Sequence, residues 1–161
     1  MKRVIKNILG LMVVCVFAAC SKSSDEEILP PPVYEYEENP TTLEGTWHLV
    51  KANYGLSGVV EYPAGDVVVY FTENTMEVKQ HSHNADPKGT QPFLDSGKYT
   101  YSIVEAEEPG RNNRLLISGS ELAPYYFYNQ DMLVIDHGMA YDAPGYYFKK
   151  CKDIFFYCEY N

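Results

Sequence analysis

The chain has 161 residues, of which 45% are hydrophobic and 22% are charged, proportions that suit one globular domain with an appended segment. Acids outnumber lysines and arginines by 22 to 13, which gives a formal net charge of −9 at pH 7. This balance argues against the basic patches by which proteins hold nucleic acid, so we expect no nucleic-acid partner.

The N-terminal residues have the order of a secretory signal peptide. Lys2, Arg3 and Lys6 precede an uncharged run at positions 8–19, which small residues close before Cys20. The run is about a dozen residues long, shorter than the roughly 20 that a helix needs to cross a bilayer. We therefore expect a removable signal at 1–19 rather than a permanent transmembrane anchor.

The sequence VFAAC at positions 16–20 resembles the lipobox of bacterial lipoproteins, with Phe17 at the usual leucine position. The resemblance implies that Cys20 is lipidated and begins the mature protein, with a lipid anchor in the membrane. The following SKSSDEE resembles the acidic export tag of Bacteroidota lipoproteins, which implies the outer membrane and the cell surface. A plain solvated charge run, and the periplasmic face of that membrane, are the alternatives.

Residues 20–42 comprise the lipidated cysteine and an acidic, proline-rich linker. Such a composition buries too little apolar surface to order itself, and its prolines favour an extended spacer. We expect a flexible linker, although VYEYE at 33–37 is also compatible with a short strand or a docking peptide.

Residues 43–161 are punctuated by turn-forming Gly, Pro, Asn and Asp and show no helical period. About eight short, adjacent strands predict an all-β domain, an eight-stranded antiparallel up-and-down barrel whose closure removes exposed edges. The candidate strands are TWHLVKANY, DVVVYFTE, TMEVKQHS, GKYTYSIVEA, RLLISGSEL, YYFYN, MLVIDHG and GYYFKKC, with IFFYCEY at the end.

The stretch LEGTWHLV at 43–50 resembles the Gly-x-Trp signature in the first strand of lipocalins and of lipocalin-like lipoproteins of Bacteroidota. The later order of YFTENTM, GKYTY, NQDMLVI and GYYFKK resembles the same group. The resemblance implies a lipocalin-like barrel in which Gly45 and Trp47 are structural and Trp47 closes the floor. It carries over no ligand contacts.

Alternation predicts which side chains line the barrel. A two-residue hairpin loop at Asn74 and Thr75 would pair Glu73 with Met76 and give the apolar residues of both strands one face. Because eight strands enclose side chains alone or one small ligand, we expect non-covalent binding of a small apolar or amphipathic molecule. The predicted ligand-binding residues are Val67, Val69, Phe71, Met76, Val78, Tyr99, Tyr101, Leu133 and Ile135.

The chemistry-bearing residues do not form a catalytic pattern. The sequence has no Gly-x-Ser-x-Gly elbow, phosphate-binding glycine loop or His-Glu-x-x-His motif, so we expect neither an enzyme nor a cofactor. His81 and His83 have a spacing that can hold a metal, but alternation places them on the outer face, and we expect no metal site. We expect His48 and His137 to be structural.

Cys151 and Cys158 remain once Cys15 leaves with the signal and Cys20 takes lipid. In an exported protein such a pair is commonly a disulfide. Seven residues of one strand would span about 23 Å, so the chain must turn back between them, for which KD at 152–153 is suited. Two unlinked thiols are the alternative.

The chain has fifteen Tyr and seven Phe, and about half of them cluster as YYFY, GYYF and FFYCEY. They either line a half-wet cavity, form an exposed stacking surface, or coat both faces of strands that favour aromatic residues. The second interpretation predicts a different function, a surface protein- or glycan-interaction module with a solidly packed barrel.

Overall fold

The computed structural model describes residues 33–81, 93–120 and 123–152, all within the unit that begins at Val33. These ranges form nine strands and two short 3₁₀ turns, Gly55–Ser57 and Met139–Tyr141. The strands are β1 (Gly45–Asn53), β2 (Val59–Glu61), β3 (Val67–Phe71), β4 (Thr75–Gln80), β5 (Gly97–Val104), β6 (Asn113–Ile117), β7 (Tyr125–Asn129), β8 (Met132–Asp136) and β9 (Gly145–Lys150).

Eight of these strands close into an antiparallel up-and-down barrel. From β3 to β9 each strand pairs with the next, and β1 pairs with both β3 and β9, which closes the cylinder. The short β2 pairs with the second half of β1. The prediction of an all-β, eight-stranded barrel is confirmed, and the architecture is consistent with a lipocalin-like barrel.

β1 is interrupted by a β-bulge at its middle. Its register against β9 shifts between Leu49 and Lys51, so that Val50 is the extra residue. The first half of β1 pairs with β3 and the second half with β2. Because the bulge resets the alternation, Leu49 and Ala52 are both buried in the core although they are three residues apart.

The centre of the barrel is filled by apolar side chains from all eight of its strands. Large side chains such as Trp47, Phe71 and Phe148 are fully buried. These side chains pack against one another and are removed from water. The strand residues of the core are Trp47, Leu49, Ala52, Val67, Val69, Phe71, Met76, Val78, Tyr101, Leu115, Ile117, Tyr126, Leu133, Ile135, Tyr146 and Phe148.

The β3–β4 hairpin corrects the predicted register. Met76 pairs with Phe71 rather than with Glu73, and the Thr72 amide donates a hydrogen bond to the Thr75 carbonyl at 2.8 Å. The loop is therefore Glu73 and Asn74. A shift of two residues leaves every side chain on its predicted face, because side chains alternate with a period of two.

Residues 33–37, which we call the arm, pair with the end of β9 on the outside of the barrel. Tyr36 forms an antiparallel bridge with Cys151, and the Glu37 amide donates to the Lys150 carbonyl at 2.7 Å. The Lys152 amide donates to the Glu35 carbonyl at 3.0 Å. VYEYE, within the predicted linker, is thus held by one isolated bridge and two backbone hydrogen bonds and forms no full strand.

Several predictions fall outside the described residues. They are the signal peptide at 1–19, lipidation of Cys20, linker residues 21–32, His83, Cys158 and the segment IFFYCEY at 154–160. In the part of the chain that the structure does describe, no helix is long and apolar enough to span a membrane.

Candidate functional site

An open cavity of about 540 Å³ lies at the end of the barrel where β1 begins, and we call it the floor cavity. Its volume is within the range of about 300–1,000 Å³ that is typical of small-molecule sites. Five segments that are distant in sequence supply its lining, which consists of residues 41–44, Glu73, Tyr101, Ile103, residues 111–113 and residues 126–128.

Trp47 lies in the core beside the floor cavity and contacts two residues of its lining, Leu43 and Tyr128. Its indole is fully buried, and its Nε1–H donates a hydrogen bond to the Leu43 carbonyl at 2.6 Å. The ring of Tyr128, which lines the cavity, stacks on Trp47 with a centroid distance of 6.3 Å. The side chain of Tyr128 thus lies between the indole and any molecule in the cavity.

Position 45, beside Trp47 in the chain, has no room for a side chain, and glycine occupies it. Its φ is +119°, a conformation that side chains rarely adopt, and an added Cβ would lie 2.9 Å from Cε of Lys150. The Lys150 ammonium in turn lies 5.8 Å from the centre of the Trp47 ring. Glycine at this position therefore lets β1 start directly beneath the lysine that covers the indole.

Three tyrosines give the floor cavity its aromatic wall. Tyr126 and Tyr128 contact edge to face at 6.5 Å between ring centroids, and Tyr101 contacts Phe71 in the same way at 5.5 Å. The Tyr101 hydroxyl donates to the Thr72 carbonyl at 2.5 Å. Burial raises the pKa of both Tyr101 and Tyr128 above the ordinary value for tyrosine.

The rim of the floor cavity carries more negative than positive charge. Glu44 and Glu73 line it as exposed carboxylates, and neither forms an ion pair with a described residue. The one cationic side chain in the lining, Arg111, already pairs with Glu108, at 2.8 Å from Nε to Oε2. After burial, the charges of Glu44 and Glu73 are among the causes that raise the pKa of Tyr101.

The predicted ligand-binding residues face the interior, but most lie away from the floor cavity. Tyr101 is the one member of that set in the cavity lining. Tyr99 is half-buried and packs against the core, and the other seven are buried within it: Val67, Val69, Phe71, Met76, Val78, Leu133 and Ile135. Contact of these residues with a ligand stays a prediction.

The sequence did not identify the other residues of the cavity lining as binding residues, although it gave a signal for some of them. The aromatic run YYFY at 125–128 pointed to a cavity wall, and two of its tyrosines supply one. Nothing in the sequence indicated Glu44, Glu73 or Arg111, because each lies in a turn or connection and belongs to no binding motif. Barrel closure alone brings them together.

The opposite end of the barrel is filled by aromatic rings in its described part. Phe93 is buried and contacts Tyr146 and Phe148, each at 5.3 Å between ring centroids. His137 contacts Tyr146 at 5.6 Å, and burial lowers the pKa of its imidazole. Its Nε2 is buried without a hydrogen-bond partner among the described residues, so a structural role for His137 stays a prediction.

His48 lies on the outer face of β1 and is nevertheless only 3% exposed, because the arm covers it. Its Nδ1 is 3.4 Å from the Tyr36 hydroxyl, its Nε2 is 3.4 Å from Sγ of Cys151, and Tyr34 contacts the ring edge to face at 4.4 Å. Burial, and then the charge of His81, lower the pKa of His48 to about 4. We call this the outer cluster.

The outer cluster contains a cysteine beside a histidine, but its protonation is not that of a catalytic pair. Burial raises the pKa of the Cys151 thiol to about 11 while that of His48 falls to about 4. A cysteine nucleophile needs the reverse, a thiolate stabilised by an imidazolium. The outer cluster is therefore a neutral, structural contact at physiological pH.

The remaining sequence hypotheses concern a metal and a disulfide. His81 is exposed, on the same outward side of β4 as Glu77 and Lys79, and His83 lies outside the described residues. Within the described ranges no three His, Cys, Asp or Glu side chains come together as metal ligands. Because Cys158 is not described, its disulfide with Cys151 stays a prediction.

Comparison of the chain with protein-family models, with curated proteins and with solved structures finds no match. The chemistry of the floor cavity is therefore the basis for a function.

Proposed function

We propose that this domain binds a small amphipathic molecule non-covalently in the floor cavity. The observation that supports this is the cavity itself, which has a volume of about 540 Å³, a tyrosine wall and a polar rim. Pockets for small molecules combine an apolar surface with a few polar groups that orient the ligand. The proposed site is at the end of the barrel rather than its centre, because the centre is occupied by core side chains.

We propose binding rather than catalysis because the sequence carries no Gly-x-Ser-x-Gly elbow, phosphate-binding glycine loop or His-Glu-x-x-His motif. We propose no cofactor.

We also propose that Cys20 carries lipid and anchors the protein in the outer membrane, at the cell surface. This is supported by the resemblance of VFAAC to a lipobox and of SKSSDEE to an export tag. Two or more acyl chains at one cysteine would give stable attachment. Labelling cells with an alkyne-tagged fatty acid should mark the wild-type protein and leave the Cys20→Ser variant unmarked, whereas equal labelling would contradict the proposal.

The binding proposal is tested by native mass spectrometry of the protein released from cells of a host close to its own. We expect a reproducible mass above that of the protein, lost on organic extraction. Tyr126→Ala should abolish this added mass because Tyr126 lines the cavity, whereas Tyr99→Ala, the matched control outside it, should retain it. Loss in both variants, or no added mass in the wild type, would contradict the proposal.

A second candidate function is supported by the outer surface of the barrel. Val104, Leu116 and Tyr125 are exposed on three neighbouring strands, β5, β6 and β7, and Arg114 pairs with both Val104 and Tyr125. An exposed apolar patch beside a filled interior is typical of a protein- or glycan-interaction module. That function would survive Tyr126→Ala and be lost in Leu116→Glu, which separates it from binding in the floor cavity.

A further inference from the structure

We infer that the ligand of the floor cavity is an organic cation, an ammonium group attached to a small apolar body. This inference rests on the proposed function, since it names the ligand class of the same cavity. It is drawn from the unpaired charges of the rim and from the aromatic wall below them.

The rim offers negative charge that no described residue neutralises. Glu44 enters the cavity from the segment before β1, and Glu73 from the β3–β4 loop. Neither carboxylate forms an ion pair with a residue that the structure describes, and the positive charge of Arg111 is engaged by Glu108. A ligand cation would gain two carboxylate partners without displacing an existing one.

The wall below the rim suits the same group. Tyr126 lines the cavity with a side chain that is about nine-tenths buried, and its hydroxyl, which forms no hydrogen bond with a described residue, still reaches solvent. Its ring stands at 87° to that of Tyr128, so the two rings form an aromatic corner at the cavity. Tyrosine faces attract ammonium groups, more strongly where water is partly excluded.

Other ligand classes fit the floor cavity less well. A carboxylate or phosphate would face Glu44 and Glu73, with only the already paired Arg111 to stabilise it. A neutral molecule would gain contact with the tyrosine rings but nothing from the two rim carboxylates. The charge of the rim therefore predicts an order of affinity, with cation above neutral molecule and neutral molecule above anion.

The test uses three probes with one apolar body and different charges: phenethylammonium, 2-phenylethanol and phenylacetate. They are titrated into the mature chain carrying Cys20→Ser, with emission of Trp47, the single tryptophan, as the readout. The indole reports on the cavity because Tyr128 lies against both. We expect phenethylammonium to bind at least about fivefold more tightly than 2-phenylethanol, with phenylacetate weakest, and added salt to reduce the difference.

Neutralising the rim identifies the source of this preference. In the Glu44→Gln, Glu73→Gln double variant the preference for phenethylammonium should fall to about twofold or less, while 2-phenylethanol binds as before. Glu61→Gln, an exposed acid outside the cavity lining, is the matched control and should change nothing.

The outcomes separate this inference from the function on which it rests. Equal binding of the three probes, or tighter binding of phenylacetate, would overturn the cation preference and leave binding in the cavity supported. Cation preference that persists in the double variant would overturn the role of the two carboxylates. If no probe binds, the cation inference fails, and the retained mass in native mass spectrometry decides the proposed function independently.

Discussion

Each face of β1 carries buried residues near the middle of the strand, but the two faces are buried by different means. On the inner face, Trp47 and Leu49 lie in the apolar core. On the outer face, His48 is buried beneath the arm, against two tyrosines and a cysteine. The inner face follows from alternation of apolar residues along the strand. The outer face shows that a polar residue, His48, can be buried by the arm, although the composition of the arm is that of a linker.

The inner face should give the largest loss of stability. Trp47→Ala removes a fully buried indole and its hydrogen bond to Leu43, and we expect the free energy of unfolding to fall by about 3–5 kcal/mol. Urea unfolding followed by circular dichroism measures this without relying on the indole. Trp47→Phe should lose less, and a loss below about 1 kcal/mol for Trp47→Ala would show that the floor is not part of the cooperative core.

Burial of His48 on the outer face should make the free energy of unfolding depend on pH. The pKa of His48 is about 4 in the folded protein and about 6.5 in an unfolded chain, so between these values the unfolded state binds more protons. Stability should therefore fall as pH drops from about 6.5 to 4, by up to about 1.4 kcal/mol per pH unit from this group. The lowered pKa of His137 adds a loss in the same direction.

The His48→Gln variant isolates the contribution of His48 to the loss of stability at low pH. Urea unfolding at pH 7, 6 and 5 should show a shallower loss in His48→Gln than in the wild type, because only the wild type has this histidine to protonate. His137→Gln serves as the comparison, because His137 lies at the end of the barrel opposite the floor cavity and away from the arm. Parallel pH profiles for wild type and His48→Gln would mean that the arm does not exclude water from the imidazole.

A smaller effect should come from contact between the arm and the turn before β3. At Gly65, φ is +88° and an added Cβ would lie 2.5 Å from the Tyr34 hydroxyl, so Gly65→Ala must shift the Tyr34 side chain as well as strain the turn. Gly110→Ala is the control, because Gly110 has a similar φ of +84° with nothing within 4 Å. We expect about 1 kcal/mol of destabilisation from strain in both, with an additional loss only at Gly65. Equal losses of unfolding free energy in the two variants would show that the contact between Gly65 and Tyr34 does not contribute to stability.

The smallest effect should come from the ion pair at the end of the arm. Lys150 Nζ lies 3.3 Å from Glu37 Oε2, with the lysine side chain mostly buried and the glutamate half-exposed. Glu37→Gln should cost about 0.5 kcal/mol in urea unfolding and less in high salt. Glu108→Gln, which breaks the more exposed pair with Arg111, should cost less still. The reverse order would contradict the anchoring of the arm through Lys150.

The sequence predicts the inside of the molecule better than its margins. Alternation in β3 and β4 identified the inward residues even though the register was two residues off, because an even shift preserves the face. β2 was missed because three residues are too few to show alternation. The floor cavity was missed as a site because its charged residues come from separate connections, whose positions depend on barrel closure.

The bulge at Val50 has a consequence for comparing β1 with other sequences. The extra residue lets the two halves of the strand keep their inward faces independently, and its carbonyl accepts a hydrogen bond from the Tyr62 amide at 3.0 Å. An alignment that runs through β1 without a gap at this position would exchange inward and outward residues in one half of the strand. Relatives that lack the extra residue should therefore be aligned to this strand in two pieces, joined by a one-residue gap at Val50.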